Sequence, residues 1–111
     1  TFGHAIETSC NLAHGVAVSI GMHFACKLSE KYLGFTETSQ ITELLKRYQL
    51  PVHCFYEPEQ VFSILMKDKK KQQNQIHWVL LKSIGSPQLF PMEPEQILHE
   101  ILCFQELISP E

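Results

Sequence analysis

The chain has 111 residues, 44% of them hydrophobic and 19% charged, with a formal net charge of −3 and a sequence pI near 6.0. That length suits one domain or a piece of one, with a single core that buries roughly two-thirds of the surface exposed by the unfolded chain. The composition excludes a disordered chain, the lack of a long uninterrupted apolar run excludes a membrane-spanning helix, and the acidic balance argues against nucleic acid or an anionic membrane surface as partner.

The first segment, GHAIE, predicts a short helix in which His4 and Glu7 lie one turn apart on a shared face. A histidine beside a carboxylate is held in one tautomer and can exchange a proton with a substrate oxygen; the alternative is a cap or core histidine bonded to backbone. His14 precedes Gly15 at the start of a long helix, where unpaired backbone N–H groups gather. It is a candidate metal ligand, and its companions then lie elsewhere, because a catalytic zinc takes three protein ligands and keeps one position open.

From Gly15 to Leu33 the apolar pattern predicts a helix buried on most sides in its first half and reaching solvent from Lys27 onward. Gly15, Ala17, Ser19, Gly21 and Ala25 keep its surface slim, which implies a closely packed neighbour. Gly34 is placed to cap its C-terminus in the left-handed conformation. A second long-period segment begins with Thr36 or Thr38 as N-cap, carries Ile41, Leu44, Leu45 and Tyr48 as an inward stripe and ends before Pro51. Glu57 to Lys67 predicts a further helix with Val61, Phe62, Leu65 and Met66 inward. The polar tract Lys67 to Gln75 is expected to be a loop. Its cluster Lys67, Asp68, Lys69, Lys70, Lys71 is either a solvated surface or a clamp for phosphate or carboxylate, and the lack of interleaved aromatics counts against nucleic acid. Ile76 to Phe90 predicts a β-hairpin turning at Gly85-Ser86-Pro87, and Pro94 to Ile108 a last helix with Ile97, Leu98, Ile101, Leu102 and Leu107. The sum is a mostly α domain with one small β-hairpin.

Cys10, Cys26, Cys54 and Cys103 are scattered, without the close pairs of zinc knuckles or redox motifs, so they are expected to be reduced thiols in a reducing cytosol. His23, His53, His77 and His99 occur singly and are expected to be ordinary residues. With no initiating methionine and no leader-like segment, the chain is expected to continue a longer protein.

Several stretches carry a resemblance in their order: GHAIE, then HGVAVSIGM, LSEKYLG, ITELLKRYQLPV, MKDKK and VLLKSIG. Together they resemble the C-terminal domain of 3-dehydroquinate synthase and related sugar phosphate cyclases, up to about Gly85. The resemblance implies that residues 1–111 are the helical metal- and substrate-binding domain of a two-domain fold whose N-terminal NAD-binding domain is absent here. It places Thr1 one residue after the family's first metal-binding histidine and the glutamate ligand upstream. It makes His14 the second metal-binding histidine. His4 would contact substrate or its phosphate and assist proton transfer, and Lys69, with Lys70 the second choice, would bind the anionic substrate.

The implied reaction converts 3-deoxy-D-arabino-heptulosonate 7-phosphate to 3-dehydroquinate and phosphate, in the shikimate route to aromatic amino acids. NAD supplies a transient oxidation, and a divalent metal, zinc or cobalt, polarises the hydroxyl that is oxidised. The implied enzyme is a cytoplasmic homodimer, and this chain alone is expected to be inactive. The sequence departs from the family at Val16, where a glutamate usually follows His-Gly. HGVA also occurs in iron-dependent alcohol and glycerol dehydrogenases, so a metal-dependent dehydrogenase, another sugar phosphate cyclase, and a non-catalytic helical interaction module stay open at this point.

Overall fold

The computed structural model describes residues 2–72 and 76–107, and side chains within those ranges except at 70–72. The chain order is α1 (Phe2–Cys10), α2 (His14–Leu33), α3 (Thr38–Arg47), α4 (Pro58–Gln72), β1 (Ile76–Ser83), β2 (Ser86–Met92) and α5 (Pro94–Glu106). The expected mostly helical domain with one hairpin is what forms.

α1 ends because Asn11 turns left-handed, with φ 56°, and the Leu12 N–H reaches back to the Glu7 carbonyl at 3.2 Å. Residues 11–13 then reverse the chain, so that α2 starts beside the last turn of α1. The slim face of α2 has its neighbour: a Cβ on Gly21 would lie 3.1 Å from both Cα and N of Gly3, and one on Gly3 would lie 3.0 Å from the Ala17 carbonyl oxygen. The two helices cross backbone to backbone. Gly34 caps α2 with φ 71° and donates its N–H to the Ser29 carbonyl.

The core joins all the larger elements. Phe2 stacks on Phe24 with centroids 3.9 Å apart, and Phe104 meets both rings edge-on. Val61 and Leu65 of α4, Trp78 and Leu80 of β1, and Ile97 and Ile101 of α5 complete the buried cluster. Two polar ties set the angles between elements. Glu100, buried on α5, accepts from Tyr32 Oη at 2.6 Å and from Lys31 Nζ at 2.7 Å. The Ser29 hydroxyl on α2 donates to the Ala25 carbonyl and accepts the Leu81 N–H at 2.9 Å, closing the outer edge of β1.

The two strands pair antiparallel, with Val79 opposite Leu89. The turn is Ile84-Gly85, one position earlier than expected. Gly85 takes φ 86°, while Ser86 and Pro87 already belong to β2. Pro87 and Pro91 face Leu81 and His77, positions whose backbone N–H groups point away from the partner strand. No ladder bond is lost there, and the free edge of β2 lacks two donors for pairing with another chain.

Several expectations are corrected. α4 runs on to Gln72, through the charged tract expected to be a loop: lysine and glutamine are good helix formers, and the loss of apolar periodicity is not a stop signal. The α3 N-cap is Glu37 rather than Thr36 or Thr38. Its carboxylate accepts the Ile84 N–H at 2.9 Å, tying α3 to the hairpin turn, and Thr38 is buried as the first helical residue. Of the α3 stripe only Leu45 is buried, while Leu44 and Tyr48 are 52% and 72% exposed. On α5 the buried apolar residues are Ile97, Ile101 and Phe104, while Leu102 and Leu107 are exposed. The expected end of α5 at Ile108 lies outside the described residues.

His23 and His53 are not single. Their rings meet at 4.8 Å and both lie against Phe104, while His23 Nδ1 donates to the Val52 carbonyl at 2.9 Å. Burial pushes both imidazoles below the usual 6.5, with the nearby Lys46 and Lys27 adding to the effect and, for His53, the His23 ring as well. As pH falls through the unfolded value, the unfolded chain takes up these protons first, so stability is lost on acidification from about pH 6.5 downward. Urea midpoints should therefore fall between pH 7.5 and 5.5, and His53→Phe should flatten that fall. An unchanged slope in the variant would exclude the pair as its source.

Candidate active site

The geometry that brings His4, Glu7 and His14 together is local to the α1–α2 corner. His4 stands in the first turn of α1 and Glu7 one turn on. His14 opens α2, directly after the reversal at Asn11. Together with Phe2, Gly3, Val18, Gly21, Met22, Ala25, Trp78 and Val79, these residues line an open cleft of about 420 Å³. Gly3 and Gly21 of the helix crossing belong to its lining, as do the exposed apolar side chains Val18, Met22 and Val79.

Glu7 does not serve His4, the pairing that sequence spacing suggests. Its Oε1 lies 3.1 Å from His14 Nδ1. A carboxylate oxygen can only accept, so Nδ1 carries the hydrogen and the lone pair of a neutral ring sits on Nε2. The His14 side chain is 79% exposed and that of Glu7 33%. A carboxylate that orients a histidine and leaves Nε2 free is the usual outer partner of a metal-bound imidazole, and the donor chemistry at His14 therefore fits one ligand of a divalent metal. Among the described residues no three His, Cys, Asp or Glu side chains come close enough to hold a metal by themselves.

His4 is exposed and lines the same cleft. Lys69 is half-buried in the last turn of α4 and is not among the residues that line the cleft, and the Lys70 side chain lies outside those described. Val16, where the resemblance expects glutamate, packs against the core cluster and does not line the cleft. Sequence spacing missed Glu7 as the partner of His14, because a contact between neighbouring helices depends on the corner that joins them. The one available signal was the pair of glycines that lets the helices touch.

The fold and cleft define a small helical domain that presents two histidines, one of them carboxylate-oriented, on a wall open to solvent. The family profile described as "3-dehydroquinate synthase C-terminal" matches residues 1–71, and the chain belongs to that family. Three proteins named 3-dehydroquinate synthase are similar to it. The one from Methylacidiphilum infernorum is 39% identical over 78% of this chain and 26% of its own length. That from Pyrococcus abyssi is 35% identical over 92% and 31%, and that from Lysinibacillus sphaericus 38% identical over 98% and 32%. A crystal structure of 2-deoxy-scyllo-inosose synthase superposes with a TM-score of 0.71 at 25% identity, over 93% of this chain and 30% of that one. The chain thus spans about a third or less of the proteins it matches. No helix among the described residues is long and apolar enough to cross a membrane.

Proposed function

We propose that the chain is the metal- and substrate-binding C-terminal domain of a 3-dehydroquinate synthase, which converts 3-deoxy-D-arabino-heptulosonate 7-phosphate to 3-dehydroquinate and phosphate in the shikimate route. The observation that carries this reading is the cleft wall on which α1 and α2 set His4, Glu7 and His14, in a chain that belongs to the synthase family. His14 Nε2 would hold the metal, zinc or cobalt, oriented by Glu7. When bound, the metal supplies Lewis-acid polarisation of a substrate hydroxyl. His4, in the lining of the cleft, contacts the substrate or its phosphate and moves a proton. Lys69 offers a cation to the carboxylate or phosphate from the end of α4, a role that rests on the motif rather than on the cleft.

The remaining ligands belong to the part of the enzyme that the relatives have beyond this length. NAD would supply the transient oxidation when bound; the sheet among the described residues is a two-stranded antiparallel ribbon, not the parallel βαβ unit whose helix N-terminus receives a dinucleotide pyrophosphate. The enzyme acts in the cytoplasm as a homodimer of full-length chains, and the domain alone is inactive because its wall carries one side of the site. Val16 is half-buried against the core and does not line the cleft, so the loss of the family's glutamate there removes no group from this wall of the site.

The test uses the full-length enzyme with the heptulosonate phosphate, divalent metal and a trace of NAD⁺. Phosphate should exceed the NAD⁺ supplied many times over with no NADH accumulating, and His14→Ala should abolish the release. NADH formed from glycerol or another alcohol, with no phosphate, would replace this reading by the dehydrogenase one.

A further inference from the structure

On α5 a thiol and an imidazole are in contact. Cys103 Sγ and His99 Nε2, one helical turn apart, lie 3.5 Å from each other, so one hydrogen is shared between them. His99 is therefore not the isolated residue that its place in the sequence suggests. It is exposed, which leaves its ring able to take up a proton. Cys103 is half-buried and lines a cavity of about 170 Å³ together with Leu28 and Phe104 and the cations Lys27 and Lys31. The two lysines stand one turn apart on α2, Lys27 paired with Glu30 at 3.3 Å and Lys31 with Glu100 at 2.7 Å. An ammonium has three hydrogens, so each keeps donors for a further anion.

All four cysteines are free thiols, and their surroundings differ. Burial pushes the thiols of Cys26 and Cys54 up, to about 11 and about 12, and holds them protonated. Cys10 Sγ donates to the Phe55 carbonyl at 3.3 Å, and an amide oxygen accepts a hydrogen bond without taking the proton. Cys103 is the thiol whose partner is a base. A nucleophile and a base within hydrogen-bond reach, at the rim of a cavity that also holds two cations, form a reactive arrangement rather than a lone thiol.

We propose that Cys103 is a modification site for small disulfides that carry carboxylates, with His99 as its base and Lys27 and Lys31 holding the anionic arm. The Cys103 hydrogen passes to His99 Nε2, the sulfur attacks one sulfur of the disulfide, and the S–S bond breaks. The departing thiolate takes the proton from His99 and leaves as a thiol. One disulfide is consumed and one, between Cys103 and half of the reagent, is formed, so no further oxidant is needed. The proposal does not depend on the reaction assigned above.

The experiment offers the full chain one equivalent of dithiobis(nitrobenzoate), an aromatic disulfide with two carboxylates, and maps the adduct by mass without reduction. The adduct should form on Cys103 ahead of Cys10, Cys26 and Cys54, and dithiothreitol should remove it. His99→Ala should slow the reaction about tenfold at neutral pH, and imidazole added to the buffer should restore part of the rate, which a purely structural role for His99 would not allow. Lys27→Gln should slow the carboxylate-bearing disulfide about threefold and leave the uncharged hydroxyethyl disulfide unaffected, in keeping with a partly exposed charge. A first adduct on any other cysteine, an unchanged rate in His99→Ala, or no rescue by imidazole would overturn the proposal. So would a Lys27→Gln variant that reacts with the two reagents in the unaltered ratio. The mapping on the unaltered chain decides which thiol reacts even if a variant folds poorly.

Discussion

With His14 as the proposed metal ligand, Glu7→Ala should lower the metal affinity of the full-length enzyme by about 10–100-fold, the range expected when the outer partner of a metal-bound histidine is lost. The reason lies in the ring rather than in charge. With Glu7 Oε1 3.1 Å from His14 Nδ1, the imidazole keeps its hydrogen on Nδ1 and aims Nε2 away from the carboxylate. Without that acceptor an imidazole 79% exposed to solvent rotates freely, and a second tautomer, with its lone pair on the wrong nitrogen, competes. Glu7→Gln keeps an oxygen that accepts from Nδ1 and should retain most of the affinity. Competition titrations with a chromophoric chelator separate the two variants. Equal affinities for the unaltered enzyme and Glu7→Ala would mean that His14 is not a ligand or that Glu7 does not orient it. The stability of the domain should barely change, because a pair this exposed contributes about 0–1 kcal/mol.

Gly21→Leu should destabilise the domain by about 3 kcal/mol, near the top of the range for overpacking. The first atom of the new side chain already meets Gly3 Cα and N at 3.1 Å, and these are backbone atoms of a helix that cannot turn aside as a side chain would. Relief requires α1 to withdraw from α2, which takes Phe2, Ala5 and Ile6 out of the core and His4 and Glu7 away from His14. Stability and activity should therefore fall together. Gly15→Ala is the control in the same helix: nothing lies within 4 Å of the added methyl, and removing a glycine from a helix gains up to about 1 kcal/mol. Urea unfolding of the three proteins measures both signs, and a Gly21→Leu domain as stable as the unaltered chain would rule out a backbone-to-backbone crossing.

The parts of this protein legible in its residues are those in which local chemistry decides. The apolar run from Gly15 and the left-handed cap at Gly34 delimit α2, and the small residues along it announce a close neighbour without naming it. Ile97 and Ile101 mark the inward face of α5. Alternation along Ile76, Trp78 and Leu80 marks the buried face of β1, and the ordered motifs carry the family. Where the pattern weakens, the elements blur: a lysine-rich tract serves equally as loop or as the end of α4, and Leu44 and Tyr48 have helical spacing whether or not anything covers them.

Tertiary structure decided the pairings. Glu7 turns to His14 instead of His4 because Asn11 reverses the chain within three residues and Gly3 and Gly21 let the helices close. His23 meets His53 across a sequence separation that no spacing rule spans. A sequence sets the propensity and periodicity of each segment, which depend on neighbours along the chain. The partner of a side chain on another element depends on how two surfaces pack, and that is fixed only when the whole core closes.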